Sequence, residues 1–106
     1  MPERRWSEVL NEFGDRIRVR MVTQRGDVVD FVVRYEAWID DQERRVLRCD
    51  GSHGLGHCDH LDWNGETIRK VWSREELSLG DAMNEAIDNV RRNWESHRAT
   101  FLRRRP

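Results

Sequence analysis

The chain has 106 residues, of which 37% are apolar and 37% are charged, and its formal net charge at pH 7 is −1. This length predicts a single domain over residues 1–106, because two separate cores would each be too small to be stable. The near balance of 19 basic and 20 acidic residues argues against a strongly basic nucleic-acid-binding protein. Apolar residues recur with regular periods, which argues against a disordered chain.

The N-terminal sequence and the two cysteines bear on the cellular compartment. The first ten residues, MPERRWSEVL, contain no apolar segment typical of a secretion signal, and no stretch of the chain is apolar over a membrane-spanning length. We therefore expect a soluble cytoplasmic protein without a membrane partner. In that compartment both cysteines are expected to be reduced thiols.

Four apolar residues near the N-terminus have the spacing of a short amphipathic helix. They are Trp6, Val9, Leu10 and Phe13, and Gly14 would end such a helix. An irregular or extended segment could bury the same residues, so the pattern favours a helix without excluding that alternative.

Alternating residues over 16–23 and 28–39 predict a β-hairpin. A two-residue loop, Arg25-Gly26, would place Met21 opposite Asp30, a core residue against a surface residue. A three-residue loop over residues 25–27 keeps the two apolar faces together. The register expected from that loop contains four cross-strand pairs: Ile17 with Tyr35, Val19 with Val33, Met21 with Phe31, and Arg16 with Glu36.

The remaining elements follow from turn residues and apolar periodicity. Strands are predicted over residues 44–49, 57–63 and 66–72, with a glycine-containing loop at 50–56 and a turn at Asn64-Gly65. A helix is predicted over residues 79–102, with Ser73 or Ser78 as its N-terminal cap. The predicted fold class is α+β: an antiparallel β-meander of about five strands, with one long C-terminal helix packed across one face.

Residues 49–62 concentrate the chemically reactive side chains. Three of the four histidines and both cysteines lie in this segment. Five residues are acceptable zinc ligands, and four of them could complete a tetrahedral shell: Cys49, His53, His57, Cys58 and His60. Their spacing does not match a recognised zinc finger or ribbon, so we expect no cofactor and keep zinc as the alternative.

The same segment could perform acid–base chemistry. On a strand, His57 and Asp59 would share one face and His60 would lie on the other, while His53 in the preceding loop could approach either. A histidine transfers protons near neutral pH, and an adjacent carboxylate fixes its tautomer. With an arginine to stabilise an anionic transition state, this arrangement suits metal-independent phosphodiester cleavage. The candidates for that arginine are Arg34, Arg45 and Arg48.

A purely structural role fits these residues as well. Asp50 and Ser52 favour turns, the glycines permit positive φ, and histidines can hydrogen-bond the neighbouring backbone. Cys49 and Cys58 could be small buried residues on adjacent strands. In that interpretation the chain is a non-catalytic interaction module.

The basic residues are almost all arginine, since Lys70 is the one lysine among 19. Arginine makes bidentate contacts with carboxylate and phosphate groups. Arg16, Arg18 and Arg20 share one face of their predicted strand. They could contact a phosphate backbone, or form a solvated face that pairs in part with Glu36.

The order of residues in this segment resembles a known pattern. Asp50, His53, Gly54, His57 and Asp59 stand as Asp-x-x-His-Gly-x-x-His-x-Asp, followed by Asp-Trp-Asn-Gly-Glu over 62–66. This resembles a small uncharacterised prokaryotic domain family and is similar to the histidine-rich core of TumE-type proteins, regarded as toxins of toxin–antitoxin pairs. The resemblance implies a compact α+β protein with nuclease activity, held by an antitoxin partner. It also implies that Asp50, His53, His57 and Asp59 are the site residues.

Together these observations give one hypothesis with two alternatives. The hypothesis is a toxin-like, metal-independent ribonuclease that acts on RNA and can form a homodimer. His57 would be general base or acid, His53 its counterpart, Asp50 and Asp59 would orient the histidines, and Arg48 would stabilise the transition state. The alternatives are the interaction module and a small zinc-binding domain.

Overall fold

The computed structural model describes residues 2–51 and 54–106, which form six strands and one helix. The strands are β1 (Glu3–Val9), β2 (Arg16–Gln24), β3 (Asp27–Ile39), β4 (Gln42–Asp50), β5 (His57–Leu61) and β6 (Thr67–Trp72), and the helix is α1 (Leu79–Arg103). All six strands join one antiparallel sheet in chain order. The predicted α+β fold is confirmed, with one strand more than expected.

The additional strand is β1, and the predicted N-terminal helix is wrong. All seven residues of β1 pair with β2, from Glu3 opposite Val22 to Val9 opposite Arg16. Edge pairing along a complete strand outweighs the helical spacing of four apolar residues, because a single short helix gains little without such packing. Leu10 still packs against the core, and Phe13 still packs on Trp94 with ring centroids 6.3 Å apart.

The β2–β3 hairpin has the predicted register but a different turn. All four predicted cross-strand pairs are present. The turn itself is the two-residue Arg25-Gly26, with both φ angles positive at 52° and 84°. A register shift between Val22 and Thr23 leaves Val29 without a direct partner. This β-bulge adds one residue to β3. The predicted three-residue loop would have placed that residue in the turn, so the apolar faces match in either case.

The helix begins and ends close to the predicted bounds. The Ser78 side chain accepts a hydrogen bond from the Asp81 backbone N–H, so Ser78 is the N-cap and Ser73 is not. The apolar face of α1 packs mainly on β3 and β4. Within the described residues, no helix is both long and apolar enough to cross a membrane. Since α1 covers one face of the sheet, the opposite face carries the polar side chains; it is called the open face below.

A buried carboxylate ties the loop before β2 to the sheet and the helix. Asp15 is 0% exposed and accepts hydrogen bonds from the Tyr35 hydroxyl at 2.6 Å and the Trp38 backbone N–H at 2.8 Å. It also pairs with Arg98 of α1, with Nε and Oδ2 3.2 Å apart. Asn11 donates its side-chain amide to the same carboxylate. A buried charge needs such partners, and here they join three separate parts of the chain.

Candidate functional site

Two neighbouring rows of side chains cross the open face of the sheet. Because residues directly opposite one another in an antiparallel sheet share a face, the register gives each row without further assumption. The first row runs from β1 to β6 through Ser7, Arg18, Arg34, Arg48, Asp59 and Lys70. The second runs through Arg5, Arg20, Val32, Asp50, His57 and Trp72. Arginines occupy the β1–β4 side of these rows, and the predicted site residues occupy the β4–β6 side.

The arginine side of the two rows forms a hollow of about 450 Å³. This depression is called the arginine hollow below. Its lining residues are Arg5, Trp6, Ser7, Arg18, Val19, Arg20, Val32, Arg34 and Arg48. No carboxylate is among these lining residues. Like charges directly opposite one another on a sheet repel, so the succession of Arg18, Arg34 and Arg48 is costly unless counter-charges lie nearby.

Carboxylates around the rim provide those counter-charges. Arg18 pairs with Glu43 at 2.8 Å and with Glu36 at 3.2 Å, and both contacts hold the pKa of its guanidinium above the ordinary value. Hydrogen bonds from Arg5 and Arg20 lower the pKa of Glu3. The remaining pairs are Arg20 with Asp30, Arg34 with Glu36, and Arg48 with Asp50. These pairs are partly exposed, so each adds little stability, but together they hold the guanidinium groups in place.

His57 lies between two carboxylates on the other side of the same rows. Its Nε2 is 3.4 Å from Asp50 Oδ1 and 3.7 Å from Asp59 Oδ2. The imidazole packs on Trp72, with ring centroids 4.9 Å apart, and only 5% of its side chain is exposed. Its Nδ1 is buried and has no hydrogen-bond partner in the described part of the chain. Nε2 therefore faces the two carboxylates, and the tautomer with its proton on Nε2 is the one that can donate to them.

The geometry brings four of the five predicted catalytic residues together. Asp50, His57 and Asp59 are in contact, and Arg48 joins them through its Nε, 3.2 Å from Asp50 Oδ2. Arg48 also lines the arginine hollow, so it connects the two halves of the open face. The predicted shared face of His57 and Asp59 is present. The fifth residue, His53, lies outside the described residues.

The prediction of reduced cysteines is wrong, because Cys49 and Cys58 form a disulfide. They are directly opposite one another on β4 and β5 and point to the helix side of the sheet, where Cys49 is fully buried. Any four of the five candidate zinc ligands include at least one cysteine, which would have to be a thiolate rather than part of a disulfide. Of the other candidate ligands, His57 lies on the open face and His60 on the helix side. Over residues 2–51 and 54–106, no three His, Cys, Asp or Glu side chains are arranged to hold a metal ion.

Reduction of this disulfide is expected to lower the free energy of unfolding by about 2–3 kcal/mol, because an unfolded chain without the cross-link has more conformational freedom. The measurement is urea denaturation with and without dithiothreitol. A Cys49→Ala/Cys58→Ala variant should show no response to the reductant and serves as the control. Two free thiols by Ellman titration, in protein unfolded without reductant, would contradict the disulfide.

Glycines in the same segment allow close packing against the helix side. A Cβ at Gly56 would lie 2.7 Å from Ala82 Cβ, and a Cβ at Gly51 would lie 2.7 Å from Leu79 Cδ2. Asp62 caps the following turn by accepting hydrogen bonds from the Asn64 and Glu66 backbone N–H groups. Gly51, Gly56 and Asp62 therefore have structural roles in this segment.

The arginine hollow as a whole was not predicted from the sequence, although the predicted β2–β3 register contains part of it. Pairing Ile17 with Tyr35 also places Arg18 opposite Arg34, and that register was predicted correctly. Arg5 could not be included, because its segment was predicted to be helical. The β3–β4 register, which adds Arg48, depends on a second bulge between Tyr35 and Glu36 that no turn residue signals.

Comparison with known proteins identifies a family. No curated protein and no solved structure matches this chain. One family model, described as a domain of unknown function, matches over residues 1–106. This match agrees with the resemblance to a small uncharacterised domain family and extends over the whole sheet and helix. The chain therefore belongs to the DUF7718 family.

Proposed function

We propose that the open face binds the phosphodiester backbone of single-stranded RNA, and that the His57 cluster cleaves the bound strand without a metal ion. The observation that carries this proposal is the arginine hollow, in which five guanidinium groups surround one depression with no carboxylate in its lining. Arginine binds phosphate oxygens through two parallel hydrogen bonds, which makes it well suited to a nucleic-acid backbone. Carboxylates at the rim pair with all five arginines, so a phosphate group must replace some of these contacts as it binds.

An open sheet face with an exposed aromatic side chain at its edge suits a single strand better than a duplex. Trp72 is half exposed at the β6 edge, directly opposite His57, and Lys70 Nζ lies 5.6 Å from its ring. Trp6 adjoins the other end of the hollow, but its position opposite Val19 places its ring on the helix side of the sheet. A base of an unpaired strand can stack on the Trp72 ring while the phosphates contact the arginines of the hollow.

The proposed cleavage uses the 2′-hydroxyl of RNA as the nucleophile. Because the His57 side chain is only 5% exposed and packs on Trp72, the bound strand must displace the Trp72 ring before His57 can accept the hydroxyl proton. The 2′-oxygen then bonds to phosphorus, and the bond from phosphorus to the 5′-oxygen breaks to leave a cyclic phosphate. Arg48 stabilises the charge that develops on the phosphoryl oxygens. Asp50 and Asp59 favour the imidazolium that forms. The 5′-oxygen needs a proton donor, and His53 is the residue that the sequence predicts for this role.

The experiment measures binding and cleavage separately. Purified protein is incubated with a short labelled single-stranded RNA, with and without EDTA, and products are resolved on a gel. It is run with and without dithiothreitol, because disulfides are usually reduced in the cytoplasm, where we expect the protein to be located. Cleavage that survives EDTA supports the proposal. Cleavage that EDTA abolishes contradicts the metal-independent step, and no binding at all contradicts the role of the open face.

An Arg34→Ala variant is expected to weaken RNA binding and to reduce the slope of log affinity against log salt by about one. Arg34 lies between Arg18 and Arg48 on adjacent strands, so its removal relieves repulsion and should not unfold the sheet. Fluorescence anisotropy over a range of salt concentrations gives the slope. Arg92→Ala, on the exposed side of α1, is the matched control and should keep the wild-type slope. Equal slopes for both variants would argue against phosphate contact in the hollow.

A second candidate function is a non-catalytic interaction module, favoured by the 5% exposure of the His57 side chain and by the sheet edges. Apolar side chains are exposed on both edge strands: Trp6 and Val9 on β1, and Ile68, Val71 and Trp72 on β6. Exposed apolar edges commonly pair with another chain. The occupant would be an antitoxin-like protein or a second copy of this chain. Light scattering on the purified protein tests the homodimer, and RNA binding without cleavage would place this candidate first.

A further inference from the structure

A second polar cluster lies on the helix side of the sheet, away from the His57 cluster. His60 of β5 and His97 of α1 bring their rings within 5.7 Å of one another between centroids. Arg69 of β6 is directly opposite His60 in the sheet. Arg104 follows the last residue of α1 and caps it through its backbone N–H. The cluster therefore joins β5, β6 and the C-terminal end of the helix.

These residues surround a small cavity of about 190 Å³. Its polar lining consists of His60, Arg69, Ser96, His97, Thr100 and Arg104, above an apolar floor. The lining contains no carboxylate. In contrast to the arginines of the open face, Arg69 and Arg104 form no ion pair with any carboxylate over residues 2–51 and 54–106. Two full positive charges thus face one cavity without a counter-charge.

Burial lowers the pKa of both histidines, and the positive charges add to this effect at His60. Burial lowers the pKa of His60, and the charges of His97, Arg69 and Arg104 lower it further, while Asp59 on the opposite face acts in the other direction. Burial likewise lowers the pKa of His97, whose Nε2 is 2.7 Å from the Asn89 side-chain oxygen. The surroundings of both rings therefore disfavour protonation, and the cavity lining lacks an anion that would favour it.

We propose that this cavity binds a phosphate group, either as the free ion or as the end of a small phosphorylated ligand. Arg69 and Arg104 would pair with its oxygens, the hydroxyls of Ser96 and Thr100 would donate to it, and His60 and His97 would take up protons as it binds. The volume is below the range of about 300–1,000 Å³ typical of sites for drug-sized ligands, which excludes most larger molecules. The site is independent of the proposed action on RNA.

Two features of the cavity bear on the binding of an anion. The C-terminal end of a helix carries about half a negative charge, which opposes an anion. Two guanidinium groups supply four times that charge with opposite sign, and Arg104 already satisfies the Leu102 and Phe101 carbonyls through its backbone N–H. Thr100 Oγ1 accepts a hydrogen bond from Arg103 Nη2 at 3.0 Å, so its own proton is free to point into the cavity.

The test follows the histidine side-chain NMR signals and the heat of binding during titration with sodium sulfate and with inorganic phosphate. Sulfate remains a dianion throughout, so its affinity reports protonation of the protein alone. We expect saturable binding, a rise in the pKa of His60 and His97 at saturating sulfate, and tighter binding at pH 6 than at pH 8. The sign follows from linkage: an anion that raises a histidine pKa must itself bind more tightly as the pH falls.

The variants make the result specific to this cavity. Arg69→Ala/Arg104→Ala should weaken binding of both anions at least tenfold, while Arg92→Ala should bind as the wild type does. Thermal denaturation shows that the double variant is folded. If methyl phosphate binds as tightly as inorganic phosphate, the site accepts the end of a larger ligand; if it does not, the site takes the free ion. No saturable signal, or equal binding by the double variant and the Arg92→Ala control, would overturn the proposal.

Discussion

Replacing Asp15 with alanine is expected to lower the free energy of unfolding by about 3–5 kcal/mol. The carboxylate is fully buried and accepts hydrogen bonds from Tyr35 and Trp38 while it pairs with Arg98. Its removal leaves the Arg98 guanidinium, which is only 17% exposed, without a carboxylate and with the Trp38 carbonyl as its remaining acceptor. The loop before β2 would also lose its attachment to β3 and α1. Urea denaturation followed by tryptophan fluorescence measures the change.

Tyr35→Phe is the graded control for the same network, since it removes one hydroxyl and keeps the ring. It should cost about 1 kcal/mol. Burial and the hydrogen bond to Asp15 raise the pKa of Tyr35. The pKa of this phenol is higher in the folded protein than in the unfolded chain. The neutral phenol therefore contributes its full stabilisation below about pH 10, and this contribution is lost as the pH rises above that value. Wild type should therefore lose more stability at alkaline pH than Tyr35→Phe. If Asp15→Ala lowered the free energy of unfolding by less than Tyr35→Phe does, the network would contribute little to stability.

His57→Gln is expected to reduce RNA cleavage by about 10²- to 10⁴-fold, the range for loss of a general base. Glutamine keeps a hydrogen-bonding group near Asp50 and Asp59 but cannot transfer a proton. RNA binding should be unchanged, because the arginines of the hollow remain. Single-turnover cleavage rates, measured with protein in excess over labelled RNA, separate the two effects.

Asp62→Asn is the matched control, since Asp62 lies in the same segment but caps a turn through backbone contacts that asparagine can preserve. It should cleave RNA at the wild-type rate. If His57→Gln cleaved as fast as wild type while unfolding more readily, His57 would be a structural residue. The interaction module would then be the better description of the chain.

Local patterns were sufficient for the helix and for the β2–β3 register. The apolar repeat from Leu79 and the N-cap at Ser78 both lie within a few residues of the structure they specify. The register of Ile17 with Tyr35 follows from the need to bury one face of each strand. The bulge at Val29 does not follow, because two-residue and three-residue loops both satisfy the turn chemistry of Arg25-Gly26.

The parts that sequence could not specify depend on pairing between distant residues. β1 is a strand because β2 offers it an edge, and nothing within residues 6–13 signals that edge. Cys49 and Cys58 meet because β4 and β5 are in one register, whereas their spacing alone was compatible with free thiols or metal ligands. The common face of His57 and Asp59 was predictable from strand alternation alone.

The order of strands in the sheet has a consequence for how the protein forms. Each strand after β1 pairs with the strand that precedes it along the chain, so each hairpin closes only a short loop and incurs a small entropic cost. The helix is different, because it packs on β3 and β4, which lie well before it in the sequence. During synthesis the sheet can therefore assemble while its apolar face is still uncovered. That face is shielded from other chains only once α1 has emerged from the ribosome, which makes this interval the most aggregation-prone stage of biogenesis.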